Sequence, residues 1–71
     1  MTPKEEFNKA IDDLYASRNR AEMRTARKRC MDLVALYGIT LGDPGAIAER
    51  IFRARCIAFD NIKRADGGVI Y

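Results

Sequence analysis

Arg18-Asn19-Arg20-Ala21-Glu22-Met23-Arg24-Thr25-Ala26-Arg27-Lys28-Arg29 is the stretch on which the architecture turns. Ahead of it, Phe7, Ala10, Ile11, Leu14 and Tyr15 recur at spacings of three and four, so one narrow face of a first helix is apolar. Extending that stripe lands on Arg18. The next stripe, Met23, Ala26, Cys30, Leu33, Val34 and Tyr37, is in a different phase. At the slip sits Asn19-Arg20-Ala21-Glu22, which has the form of a capping box: a short polar N-cap and a glutamate three residues on. The segment therefore ends one helix and opens another. The competing arrangement is a single bent helix across residues 3–37.

Working backwards, Thr2-Pro3-Lys4-Glu5 is a second box of the same kind, with proline at the first helical position. It predicts a first helix over about residues 3–17. Working forwards, the second helix runs from about 20 to 37. There Gly38 is placed to stop it in the left-handed conformation, with Ile39 supplying the apolar contact that accompanies such a cap. After the loop Ile39-Thr40-Leu41-Gly42, Asp43-Pro44 is the clearest helix start in the chain, an acidic N-cap followed by proline. A third helix is predicted from 44 to about 64, ended by Gly67-Gly68. The expected fold is all-α: a small three-helix domain, a helical hairpin plus a long third helix, spanning residues 1–66 with a short tail at 67–71. There is no internal repeat.

On the third helix, Ile47, Ala48, Ile51, Phe52, Ala58, Phe59 and Ile62 project onto one wide arc, with Cys56 at its edge. The first helix is a thin cover for it. A chain of 71 residues also buries only about 60% of the surface its unfolded form exposes. Both considerations predict a homodimer that buries the rest of the arc, two-fold pairs being the commonest assembly. Arg55 falls in the middle of the arc. Its head either snorkels to water over a packed stem or meets an acid across an interface. Arg50, Arg53, Ile57 and Arg64 lie on the opposite face, an apolar side chain among arginines.

Charge carries most of the functional information. The net charge is +3 and the isoelectric point about 9.1. The opening segment holds six of the 13 basic residues against one acid. Arg20, Arg24, Arg27 and Lys28 share the side of the second helix opposite Met23, Cys30 and Tyr37, with Met31 among them. Such a stripe seeks an acidic protein surface or nucleic-acid phosphates. A helix-turn-helix is disfavoured. The connection from Gly38 to Asp43 is long for that motif, and the third helix opens Pro44-Gly45-Ala46-Ile47-Ala48-Glu49, without the Arg, Asn or Gln that read base edges. No aromatic interrupts the basic stripe, so a stacking platform for single strands is not indicated.

The chain has no histidine, so the commonest general base and metal ligand are both missing. Its two cysteines, Cys30 and Cys56, make no zinc-binding spacing, and no glycine-rich phosphate loop follows a strand. Glu5-Glu6 and Asp12-Asp13 point to different helix faces. These features predict no enzyme, no metal and no cofactor. Neither a signal peptide nor a membrane-spanning run is evident. The cysteines are then expected to be buried free thiols in a reducing, cytoplasmic compartment. The resulting expectation is a small helical protein that acts stoichiometrically as a regulator or inhibitor of a protein partner. Its size and charge are in the style of a phage or mobile-element accessory protein. A nucleic-acid binder using the same stripe on phosphates is the alternative. The candidate partner-binding residues are Arg20, Arg24, Arg27, Lys28, Arg50, Arg53, Arg55, Ile57 and Arg64.

Overall fold

The computed structural model describes residues 1–65, and the expected tail at 67–71 lies outside them. Three helices pack together: α1 (Pro3–Tyr15), α2 (Arg20–Tyr37) and α3 (Pro44–Ala65), with a 3-10 turn, Gly38–Leu41, between the last two. The helix starts follow the caps. Thr2 Oγ1 accepts from Glu5 N–H at 3.2 Å and Glu5 Oε1 accepts from Thr2 N–H at 2.9 Å, which completes the first box. Asp43 Oδ2 accepts from Ala46 N–H at 3.1 Å at the start of α3.

The break between α1 and α2 is present, which excludes the bent single helix, but two details differ from expectation. Helix α1 stops at Tyr15 rather than 17. Ser17 is buried, and its hydroxyl donates to the carbonyl of Asp13 at 3.2 Å, taking up an acceptor at the end of the helix. At the second box, Asn19 Oδ1 accepts from Glu22 N–H at 2.9 Å as expected. Glu22 Oε1, however, accepts from Arg18 N–H at 2.8 Å, one residue beyond the N-cap. The extended backbone of Asn19 carries the preceding amide into reach.

Gly38 does have a positive φ, 56°, but its ψ of −129° is far from the left-handed helical region. Its N–H still bonds the carbonyl of Val34, and the chain then tightens into the 3-10 turn. Consequently Ile39 makes no capping contact and is 80% exposed. Leu41 turns inward in its place.

The core is a single cluster to which all three helices and the turn contribute: Phe7, Ala10, Ile11 and Leu14 of α1; Ala26, Cys30 and Leu33 of α2; Leu41; and Ile47, Ile51, Ala54 and Ala58 of α3. The chain runs up, down and up. α1 packs on both long helices and most heavily on α2, whereas the α2–α3 seam is thinner. At 1.5 Å per residue, the 13 residues of α1 span about 20 Å, and the 22 of α3 about 33 Å. α1 thus lies against both long helices on one side of the pair and covers only part of their length, and no other described helix covers the opposite side.

Only part of the expected arc of α3 is buried. The seam is Ile47, Ile51, Ala54, Ala58 and Ile62, whereas Ala48, Phe52, Arg55, Cys56 and Phe59 are exposed. The projection placed Ile47, Ala48, Ile51, Phe52, Ala58, Phe59 and Ile62 on one arc facing a core or a second copy. The packing turns the small residues Ala54 and Ala58 inward, where helices approach closely, and leaves the two phenylalanines outside.

Candidate interaction face between the second and third helices

The bare side of the α2–α3 pair is a shallow channel. At one end Met23, Arg24 and Arg27 of α2 stand beside Arg55, Cys56 and Phe59 of α3. At the other end Arg27 and Met31 stand beside Ala48, Ile51, Phe52 and Arg55. Residue numbers rise along one wall and fall along the other, so the helices are antiparallel, and Arg27 and Arg55 border both ends. The floor is apolar: Met31 is 49% exposed, Phe52 60% and Phe59 43%. Arg20 closes the far end, its guanidinium carbon 5.5 Å from the centre of the Phe59 ring, an arrangement that favours cation–π attraction. Lys28 sits on the outer shoulder with Arg24, Thr25, Arg27 and Met31.

Five of the nine residues singled out in the sequence, Arg20, Arg24, Arg27, Lys28 and Arg55, are thus brought to one surface. Arg55 is exposed there and joins a basic stripe that belongs to another helix. The remaining four go elsewhere. Arg53 pairs with Glu49 at 2.7 Å and Arg64 with Asp60 at 3.1 Å, both along α3. Arg50 lies over the Phe7 ring at 5.4 Å, on the side covered by α1. Ile57 is 45% exposed, away from the channel. Among the described residues, Arg20, Arg24, Arg27, Lys28 and Arg55 have no acid within 4.0 Å.

Sequence reasoning missed the floor. Ala48, Phe52 and Phe59 were placed on an arc facing a core or a second copy, not beside the cations of α2; Met23 does pack partly against the core, as its stripe indicated. The signal available was the excess width of the α3 arc, together with Met31 among the cations. The absence of an aromatic from the basic stripe also holds only along α2. In three dimensions α3 supplies Phe52 and Phe59 beside it.

No family model, no curated protein and no solved structure matches the chain. The reading of this surface therefore rests on its own chemistry. Among the described residues no group of three or more His, Cys, Asp or Glu side chains is placed to hold a metal ion, and no helix is long and apolar enough to cross a membrane.

The two thiols differ, contrary to the expectation that both are buried. Cys30 is fully enclosed in the core. Burial pushes its thiol up to about 11, the nearby charge of Asp13 adding to the shift and Arg29 and Arg50 partly opposing it. Cys56 is exposed in the wall of the channel. A thiol reagent should therefore modify one cysteine per native chain, and Cys56→Ser should abolish that fast phase. Cys30 should react only after denaturation. The same shift makes the fold sensitive to alkali. From its ordinary value of 9.0 up to about 11, Cys30 ionises when unfolded but stays protonated when folded. The unfolded state then binds fewer protons, and stability falls by at most about 1.4 kcal/mol per pH unit in that window. Melts of the parent and Cys30→Ala at pH 8 to 10 should show a shallower decline in the variant.

Proposed function

We propose that this protein is a stoichiometric binding protein, a regulator or inhibitor of a protein partner, and that it engages an acidic surface of that partner through the α2–α3 face. One observation carries the reading: among the described residues, arginines without acids surround exposed methionine and phenylalanine side chains on a surface that no other described element covers. Contiguous exposed apolar area rimmed by polar groups marks interaction sites. Aromatic residues, methionine and arginine are the types enriched in protein interfaces, and lysine is depleted. Four of the five cations here are arginine. Its planar fork matches a carboxylate with two parallel hydrogen bonds and tolerates desolvation better than an ammonium.

Phosphate would satisfy the same forks, but backbone contacts to a nucleic acid leave the apolar floor without a role. The aromatic pair does permit base stacking, which makes nucleic acid the outcome to test against. The homodimer expected from the arc of α3 fits this face poorly. A two-fold axis here would bring four guanidiniums from each copy together with no acid between them. Their mutual repulsion supports a partner that brings carboxylates of its own.

The test is retention on the immobilised full chain from a lysate, with and without nuclease, over a salt series. A protein held in equimolar amount after nuclease treatment is the expected result. Loss of all binding on nuclease treatment, together with a steep salt dependence of the kind produced by several phosphate contacts, would overturn the reading.

A further inference from the structure

Resting on that reading, we infer that what lies in the channel is an acidic amphipathic α-helix of the partner, seated lengthwise between α2 and α3. Length and spacing point to it. From Ala48 to Phe59 the channel follows 11 residue steps of α3, about 16 Å or three helical turns. Phe52 and Phe59 are seven residues apart, so they recur after two turns, the spacing at which a helix aligned with α3 presents its own residues i and i+7. Met23 and Met31 line the facing wall at nearly the same interval. The small Ala48 leaves room for close approach at one end. The geometry is that of a helix laid into a groove. An extended peptide has less to hold it, because the described residues form no strand and so offer no sheet edge for main-chain pairing.

The charge distribution adds a sidedness. The α2 rim carries Arg20, Arg24, Arg27 and Lys28 without compensation among the described residues. On α3, Arg53 and Arg64 are paired with Glu49 and Asp60. Arg55 is the one cation of α3 that lines the channel, also without an acid within 4.0 Å among the described residues. A helix in the channel therefore gains most from carboxylates on the flank of its apolar stripe that faces α2, with a single further contact at Arg55 on the other flank. Acidic residues there would meet arginine forks over a hydrophobic floor, where their attraction is less screened than at an open surface.

The test titrates the isotope-labelled full chain with three probes, followed by amide shifts. One is a synthetic peptide of about 18 residues, long enough for measurable helicity, with leucines at spacings of three and four and glutamates flanking them. Another has the same composition in an order that destroys the amphipathic stripe. The last is a single-stranded oligothymidylate. The amphipathic peptide is expected to shift Met23, Arg27, Met31, Phe52, Arg55 and Phe59, to gain helicity on binding, and to bind at least about tenfold more tightly than the permuted one. Equal binding of the two peptides would overturn the helical occupant and leave the acidic-partner reading standing. Shifts of this face by the oligonucleotide and by neither peptide would overturn both. Shifts that appear on concentrating the protein alone, with a doubling of mass by light scattering, would make a second copy the occupant and overturn the inference.

Discussion

Reversing Arg24 and Arg27 to glutamate together is expected to abolish association with the acidic partner while leaving the helices and the melting temperature as they are. Both side chains border the channel, and Arg27 stands where its two halves meet. The double reversal replaces two attractions by two repulsions beside an apolar contact. Losing one partner of a desolvated charge pair costs about 2–5 kcal/mol, so the two together should weaken binding by more than about a hundredfold. Folding should not suffer. Arg20, Arg24 and Lys28 are spaced four apart along one exposed stripe, and like charges at that spacing cost a few tenths of a kcal/mol each. Glu at position 24 would turn both repulsions into attractions. Circular dichroism, thermal melting and the affinity for the amphipathic peptide measured on the same sample separate the two effects. Lys28→Glu alone, out on the shoulder, should mainly slow association and reduce its salt sensitivity. Affinity unchanged in the double reversal would remove the α2–α3 face from consideration.

The second large effect is expected from one substitution made at two sites. Phe7→Ala should unfold the protein, whereas Phe52→Ala should leave it folded and weaken partner binding. Phe7 is 1% exposed and among the largest fully buried side chains. It stands in the cluster shared by all three helices and beneath the guanidinium of Arg50. Truncating a buried phenylalanine costs about 3–5 kcal/mol. A domain of 71 residues holds roughly 4–11 kcal/mol in total at the usual value per residue. The loss therefore consumes much or all of the stability, and α1 has few other anchors. Phe52 is 60% exposed, and a surface substitution of that kind changes stability by about 0.5 kcal/mol or less. Urea melts of the two variants beside their peptide affinities give the comparison. A folded Phe7→Ala with a near-native midpoint would contradict the packing described here.

The same pair of residues shows where sequence reading works and where it stops. Caps are local: Thr2 with Glu5, Asn19 with Glu22 and Asp43 with Ala46 each act within three residues, so the starts of all three helices were legible without any tertiary information. The apolar stripe of α1 was legible too, because its four buried residues face the only neighbours a short terminal helix has. Where α1 and α2 part was readable from the phase slip. How the connection closes was not, because the Ser17 hydroxyl bond and the shift of Glu22 to the Arg18 amide depend on the path between the helices.

The arc of α3 is the other case. Its periodicity says which side chains share a face, but not how much of that face a neighbour covers. Coverage depends on the length of α1, on the closeness of approach that Ala54 and Ala58 permit, and on the antiparallel run of α2. By itself the sequence determined three helices, their starts and a run of cations on the second, since each follows from contacts within one or two turns. Only the tertiary structure decided that Phe52 and Phe59 stand outside the core, that Arg55 joins the arginines of α2, and that Arg53 and Arg64 spend their charge on their own helix. Such placements bring together residues more than twenty positions apart or choose between two faces of one helix, and no local periodicity encodes that choice.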